Sequence, residues 1–174
     1  MNFPLHPDTP AEGITLEELF GPGSAERIKA SRQRLAQIAA AEGLPMGERT
    51  KTYNSRLAQE LGVWATEQGR GPAFHDAAFR AYFAEARNIS DPEILAELAA
   101  KVGLNREAAR RALRERTYRA AVDREWAASR AAGVTAVPTF EAGGKRAVGA
   151  QPYEELARLV EAAGAKKRPA AEAR

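Results

Sequence analysis

Cysteine is absent from this chain of 174 residues. That excludes internal disulfides, cysteine-ligated zinc or iron–sulfur clusters, and a cysteine nucleophile within these residues. Histidine is nearly absent: His6 and His75 stand in different segments, without the close helical pairing that marks a zinc site, so no metal site is expected. No stretch of about 18 apolar residues occurs, so no membrane-spanning helix is expected. A strong excess of one charge is missing too. The 26 Lys and Arg face 23 Asp and Glu for a net charge of +3, and the signs are interspersed along helical segments, which argues for solvated faces and against a nucleic-acid stripe. The opening "MNFPLHPDTP" has neither a basic n-region nor an apolar h-region, and the expectation is a cytoplasmic protein.

What is present is helix punctuation. Thr15 and Glu18 form a capping-box pattern before a short helix that "FGPG" breaks. Residues 24–42 are helical, with Ile28, Leu35 and Ile38 on one face and Gly43 as the stop. A connector, 44–53, leads to a helix over about 55–68 with Leu57, Leu61 and Trp64. After "GRGP" comes a helix carrying Phe74, Ala78, Phe79, Tyr82 and Phe83, an aromatic face read as core. Ser90, Pro92 and Glu93 read as a helix start closed by Gly103. Asn105 caps another helix, and a last one carries Tyr118, Val122 and Trp126 up to Gly133.

After Gly133 the character changes. "VPTFEA" and "KRAV", joined by "GG", read as a hairpin. Pro152 then opens an amphipathic helix with Leu156, Leu159 and Val160, ending at Gly164. A long helical block is thus followed by β-β-α.

Several other patterns have plain structural readings. Asp8, Glu12, Glu17 and Glu18 fit loop solvation and capping better than paired acid–base catalysis. "GPGS" lacks the Lys-Ser/Thr of a phosphate loop. Ser24 and Ser90 read as helix caps, His75 as a packed histidine at the core edge, and His6 as a loop contact. No catalytic residue is assigned, and no cofactor is implied.

The segments "GVTAVPTF" and "GGKRAVGAQPYEELARLV" resemble the closing ββα unit of the thioredoxin fold in the DsbA family of thiol–disulfide oxidoreductases. "FPLHPDTPAEG" resembles the loop leaving that family's second strand. "YNSRLAQELGVWA", "AAFRAYFAEARNISDPEILAELA" and "VGLNREAARRAL" resemble the helical insertion of its FrnE-like branch. The resemblance runs from Phe3 to Ala163. It implies an α/β thioredoxin-like fold with a large all-helical insertion. In that scheme residues 1–14 are the end of the second strand and a loop, 15–132 the insertion, 133–164 the ββα unit, and 165–174 a disordered tail. It also implies a cis peptide bond before Pro138, with Ala136, Val137 and Pro138 binding an extended substrate peptide. An ordinary trans bond entering an edge strand is the alternative reading of the same residues.

The family's fold begins with strand–helix–strand, and its Cys-x-x-Cys sits at the start of the first helix, where the helix dipole favours a thiolate. The sequence in hand begins at what resembles the end of the second strand. The expectation is therefore a truncated, helix-dominated domain with a small residual sheet, a disulfide oxidoreductase by lineage, and redox-inert as it stands. Its implied partner is an unfolded or thiol-containing client protein, with no nucleic acid and no membrane. The hairpin's open edges also invite self-association. Two other readings stay open. One is a relative of the glutathione-dependent 2-hydroxychromene-2-carboxylate isomerases and kappa-type glutathione transferases. The other is a non-enzymatic peptide-binding or scaffold remnant.

Overall fold

A computed structural model describes residues 1–167. The chain divides into two compact units: a larger one of Asn2 and Pro4–Trp126, and a smaller one of Met1, Phe3 and the residues from Ala127 onward.

The larger unit is helical because its sequence supplies caps and periodic apolar residues in register. Helix α1 (Leu16–Phe20) starts in a full capping box: the Glu18 N–H donates to Thr15 Oγ1 at 3.1 Å, and the Thr15 N–H to Glu18 Oε2 at 2.6 Å. Helix α2 (Ala25–Ala41) follows. Ser24 stands before it but does not cap it; its hydroxyl donates to the Gly21 carbonyl at 2.6 Å, and its backbone is already helical. Leu35 and Ile38 share a face, as their spacing predicts, yet about half of each is exposed.

A two-residue ladder joins β1 (Ile14–Thr15) to β2 (Lys51–Thr52), antiparallel, with Ile14 opposite Thr52. The sequence reading treats 44–53 as a plain connector, because two residues are too few to show a strand's alternation.

The core lies among α3 (Arg56–Glu67), α4 (Gly71–Phe79), α5 (Pro92–Lys101) and α6 (Arg106–Glu115). Leu61, Trp64, Phe74, Leu95, Leu98 and Leu113 are its large members, each worth about 1.5–3 kcal/mol when fully buried. Between α4 and α5 the chain makes a π-helical turn, Arg80–Ala84. The aromatic segment is only partly core. Phe74 is fully buried, whereas Phe79 is 63% exposed and stacks on Phe83 with ring centres 6.2 Å apart. Phe79 stands about 100° around the helix from the Phe74–Ala78 row.

Asp91, not Ser90, caps α5, accepting from the Glu93 N–H at 2.8 Å. Pro92 is the reason: a proline favours the first helical position, which leaves the residue just before it as the cap. Ser90 instead donates to the Ala11 carbonyl and to Asn88 Oδ1. Asn105 caps α6 as its position predicts, 2.8 Å from the Ala108 N–H.

Helix α7 (Arg119–Ala131) begins in the larger unit and ends in the smaller one. In the smaller unit β3 (Thr139–Ala142) pairs antiparallel with β4 (Lys145–Val148), and α8 (Tyr153–Ala162) packs on both strands. The turn residues Gly143 and Gly144 have φ of 55° and 73°, the pair of positive values that a type I′ hairpin turn demands. A side chain at Gly143 would also stand 2.9 Å from Ala163 Cβ. No residue from 133 to 167 is buried. The tail expected over 165–174 lies largely outside the described residues.

Candidate functional site

Residues 134–138 form an exposed loop between the end of α7 and the start of β3. Both of its ends are pinned. At the first, the Gly133 N–H donates to Arg130 O at 2.8 Å and the Val134 N–H to Ser129 O at 3.0 Å, closing the helix. Arg146, on β4, then reaches across: Nη1 donates to the Gly133 carbonyl at 3.1 Å and Nη2 to the Ala132 carbonyl at 2.7 Å. A cation at a helix C-terminus satisfies carbonyls that the helix leaves free and faces the negative end of its dipole. Glu141, directly opposite Arg146 in the hairpin, accepts from Arg146 Nε at 3.1 Å and holds the guanidinium in that pose.

At the second end, the Thr139 hydroxyl donates to the Ala136 carbonyl at 2.6 Å, and the Gly149 N–H donates to the Pro138 carbonyl at 2.8 Å. The Val137–Pro138 bond is cis. Ala136, Val137 and Pro138 are all exposed, Val137 by 42%. Neither the N–H nor the carbonyl of Val137 is hydrogen-bonded to another described residue. One donor and one acceptor on the same residue are what an extended peptide uses when it pairs with a neighbour.

These side chains can touch a ligand but cannot transform one. None of the three ionises or carries a nucleophile. The resemblance to the DsbA family is what points to this trio. It does not single out Arg146, although a Gly-Gly turn at 143–144 already sets Glu141 opposite Arg146; the reach of Arg146 to α7 has no sequence signal.

Glu18 and the two histidines lie outside this loop. Hydrogen bonds from the Thr15 backbone and side chain hold Glu18 below the usual carboxylate range. His6 offers its carbonyl to the Thr9 N–H at 3.2 Å. His75 is exposed, with its Nε2 2.8 Å from where a Cβ on Gly62 would stand. Among the described residues no group of three or more His, Asp and Glu gathers as metal ligands would, and no helix is long and apolar enough to cross a membrane.

Comparison with known proteins adds three findings. The chain matches the family model of the DSBA-like thioredoxin domain over residues 1–161. It is 41% identical over 86 residues to the uncharacterized protein YwbO of Bacillus subtilis (strain 168), a match that takes in 48% of this chain and 42% of YwbO. The chain therefore spans less than half the length of that curated relative. The crystal structure of a probable DsbA oxidoreductase from Streptomyces coelicolor is similar with a TM-score of 0.82 at 28% identity, covering 94% of this chain and 73% of that one.

Proposed function

The chain belongs to the DSBA-like thioredoxin domain family, and on that premise we propose that it serves thiol–disulfide chemistry by holding a client polypeptide at Ala136, Val137 and Pro138, without exchanging disulfides itself. Its fold is the thioredoxin-like DsbA fold in a helix-dominated form. The observation that carries the proposal is the exposed residue Val137, whose backbone N–H and carbonyl have no partner among the described residues, in a loop anchored on either side. Inertness follows from composition: exchange needs a thiolate, and there is no cysteine. The client is an unfolded or thiol-containing polypeptide, and the segments at 53–65, 77–99 and 102–113 favour the FrnE-like branch. A cytoplasmic setting belongs to the same proposal, with cell fractionation as its check.

Affinity through so few main-chain bonds is weak, on the order of 1 mM, because they barely exceed the cost of ordering a peptide. The test is titration of isotope-labelled protein with reduced, carboxymethylated α-lactalbumin, followed by amide shifts. Shifts centred on Ala136, Val137 and Thr139 support the reading. Shifts elsewhere, or none at millimolar client, remove it. Catalysis of insulin reduction by the isolated chain, above the dithiothreitol background, would end the claim of inertness.

A further inference from the structure

A cleft of about 420 Å³ lies wholly within the larger unit, between α2 and the connector at 46–49. That volume falls at the small end of the range for ligand pockets, roughly 300–1,000 Å³. Its apolar lining comes from Leu16, Leu35, Met46 and Phe83. Lys29, Arg32 and Arg49 line it as well, against a single carboxylate, Glu48. None of the three cations forms an ion pair with a described residue. Arg32 is half-buried on a helix that is otherwise largely exposed.

Arg49 is held in place. Its Nη1 donates to the Lys51 carbonyl and to the Tyr82 hydroxyl, each at 2.8 Å, and its guanidinium carbon lies 4.5 Å from the centre of the Tyr82 ring. Its Nη2 and Nε donate to no described residue. The π-helical turn builds the wall beside it. The Gly47 N–H donates to the Phe83 carbonyl at 2.8 Å, and a Cβ on Gly47 would fall 2.1 Å from the Ala84 carbonyl oxygen. Only glycine permits that approach, which seats the connector against the turn and brings Phe83 and Arg49 to one cleft. Single π-helical turns recur at functional sites.

The geometry points to a binding site for a small amphipathic carboxylate, an aromatic or branched apolar body carrying one carboxylate group. The apolar wall takes the body. Arg49, with its planar fork fixed by stacking and two hydrogen bonds, takes the carboxylate, and Arg32 and Lys29 supply the surrounding positive field. This site is independent of the loop at Ala136–Pro138. A bare phosphate fits it less well, because the apolar wall of Leu16, Leu35, Met46 and Phe83 would go unused.

The experiment is calorimetric and NMR titration of the full chain with 4-phenylbutyrate, 4-phenylbutanol and inorganic phosphate. The acid binds and shifts the methyl signals of Leu16, Leu35 and Met46, while the alcohol binds at least about tenfold more weakly. Arg49→Gln and Arg32→Gln each weaken the acid by at least about fivefold. Arg32 is only half-buried and forms no ion pair with a described residue, so its variant reads out the site even where Arg49→Gln disturbs folding. Equal binding of acid and alcohol, binding of neither, phosphate binding as tightly as the acid, or shifts outside the cleft each overturn the assignment.

Discussion

Arg116 Nε lies 2.8 Å from Glu60 Oε2, and the two residues are 56 positions apart in the chain. Arg56 closes on the same carboxylate from the other side, its Nε 2.7 Å from Oε1. The Glu60 side chain is only 3% exposed, while that of Arg116 is 40% exposed. An ionised group so placed is tolerable because both oxygens are paired. Replacing Glu60 with Gln leaves the shape and removes the charge. The expected loss is about 3 kcal/mol, at the low end for breaking a buried pair, since Arg116 reaches solvent. Urea denaturation followed by tryptophan fluorescence measures it; a loss under about 1 kcal/mol would show the pair to be energetically idle.

The same carboxylate makes stability depend on pH. Burial works to raise its pKa, but hydrogen bonds from Arg116 and Arg56 outweigh that and hold it below the ordinary 4.5. Glu97 is lowered further, to about 2, chiefly by hydrogen bonds from Arg87 and then Lys101. A carboxyl whose folded pKa lies below its unfolded one adds stability that is complete above the unfolded value and is lost as pH falls through the folded value. Stability should therefore hold above pH 4.5 and decline between there and about pH 2. Glu97→Gln should make that decline shallower. An unchanged slope in acid titrations of the variant would contradict the assignment.

Asn54 ties the first loop to the helical core. Its Nδ2 donates to the carbonyls of Pro7 and Thr9 at 2.8 and 2.9 Å. Asn88 adds a bond of 2.9 Å to the Ala11 carbonyl. Asn54→Ala should cost about 1–2 kcal/mol and open residues 5–12 to limited proteolysis. If cleavage there is no faster than in the parent chain, these bonds do not hold the loop.

The hairpin turn discriminates between its two glycines. Gly143→Ala meets both a left-handed backbone and Ala163, whereas at Gly144 only the backbone objects, with no other atom within 4 Å. Each substitution should destabilise the ββα unit by about 1–2 kcal/mol through φ alone, and Gly143→Ala by more. Amide exchange in β3 and β4 ranks the two; equal effects would mean the approach of α8 is not tight.

Exchange should also separate the units. Amides of Phe140 and Ala147 should exchange roughly 100-fold or more faster than those of Leu61 and Leu95, because a two-stranded hairpin without buried residues is marginal on its own. Pairing between copies through the open edges of β3 and β4 is a further expectation. Hairpin protection that rises with protein concentration, with a matching change in sedimentation, would reveal that pairing. Slow exchange at high dilution would refute both expectations.

Legibility in the sequence followed the range of the forces involved. Local signals read true: the Thr15–Glu18 box, the Asn105 cap and the Gly-Gly hairpin turn each depend on residues within a few positions. Ser90 misled because two candidate caps stood side by side and Pro92 decided between them. Phe79 misled because an aromatic-rich stretch looks apolar on every side until neighbours choose one. The β1–β2 ladder, the Glu60 cluster and the reach of Arg146 to the end of α7 join distant positions. No short window of sequence contains the first two, and the third, 13 positions apart, carries no local signal. At the candidate site, the resemblance points to Ala136–Pro138, but a Val137 backbone without a partner among the described residues has no sequence signal, since it depends on where every neighbouring hydrogen bond goes.

The lack of any buried residue between 133 and 167 has a calorimetric consequence. The heat-capacity change of unfolding grows with the apolar surface newly exposed to water, and a segment with no fully buried residue contributes little to it. A thermogram of this protein should therefore record the melting of the helices around Leu61, Phe74 and Leu95. The loss of the β-hairpin and α8 would pass as a gentle slope of the baseline.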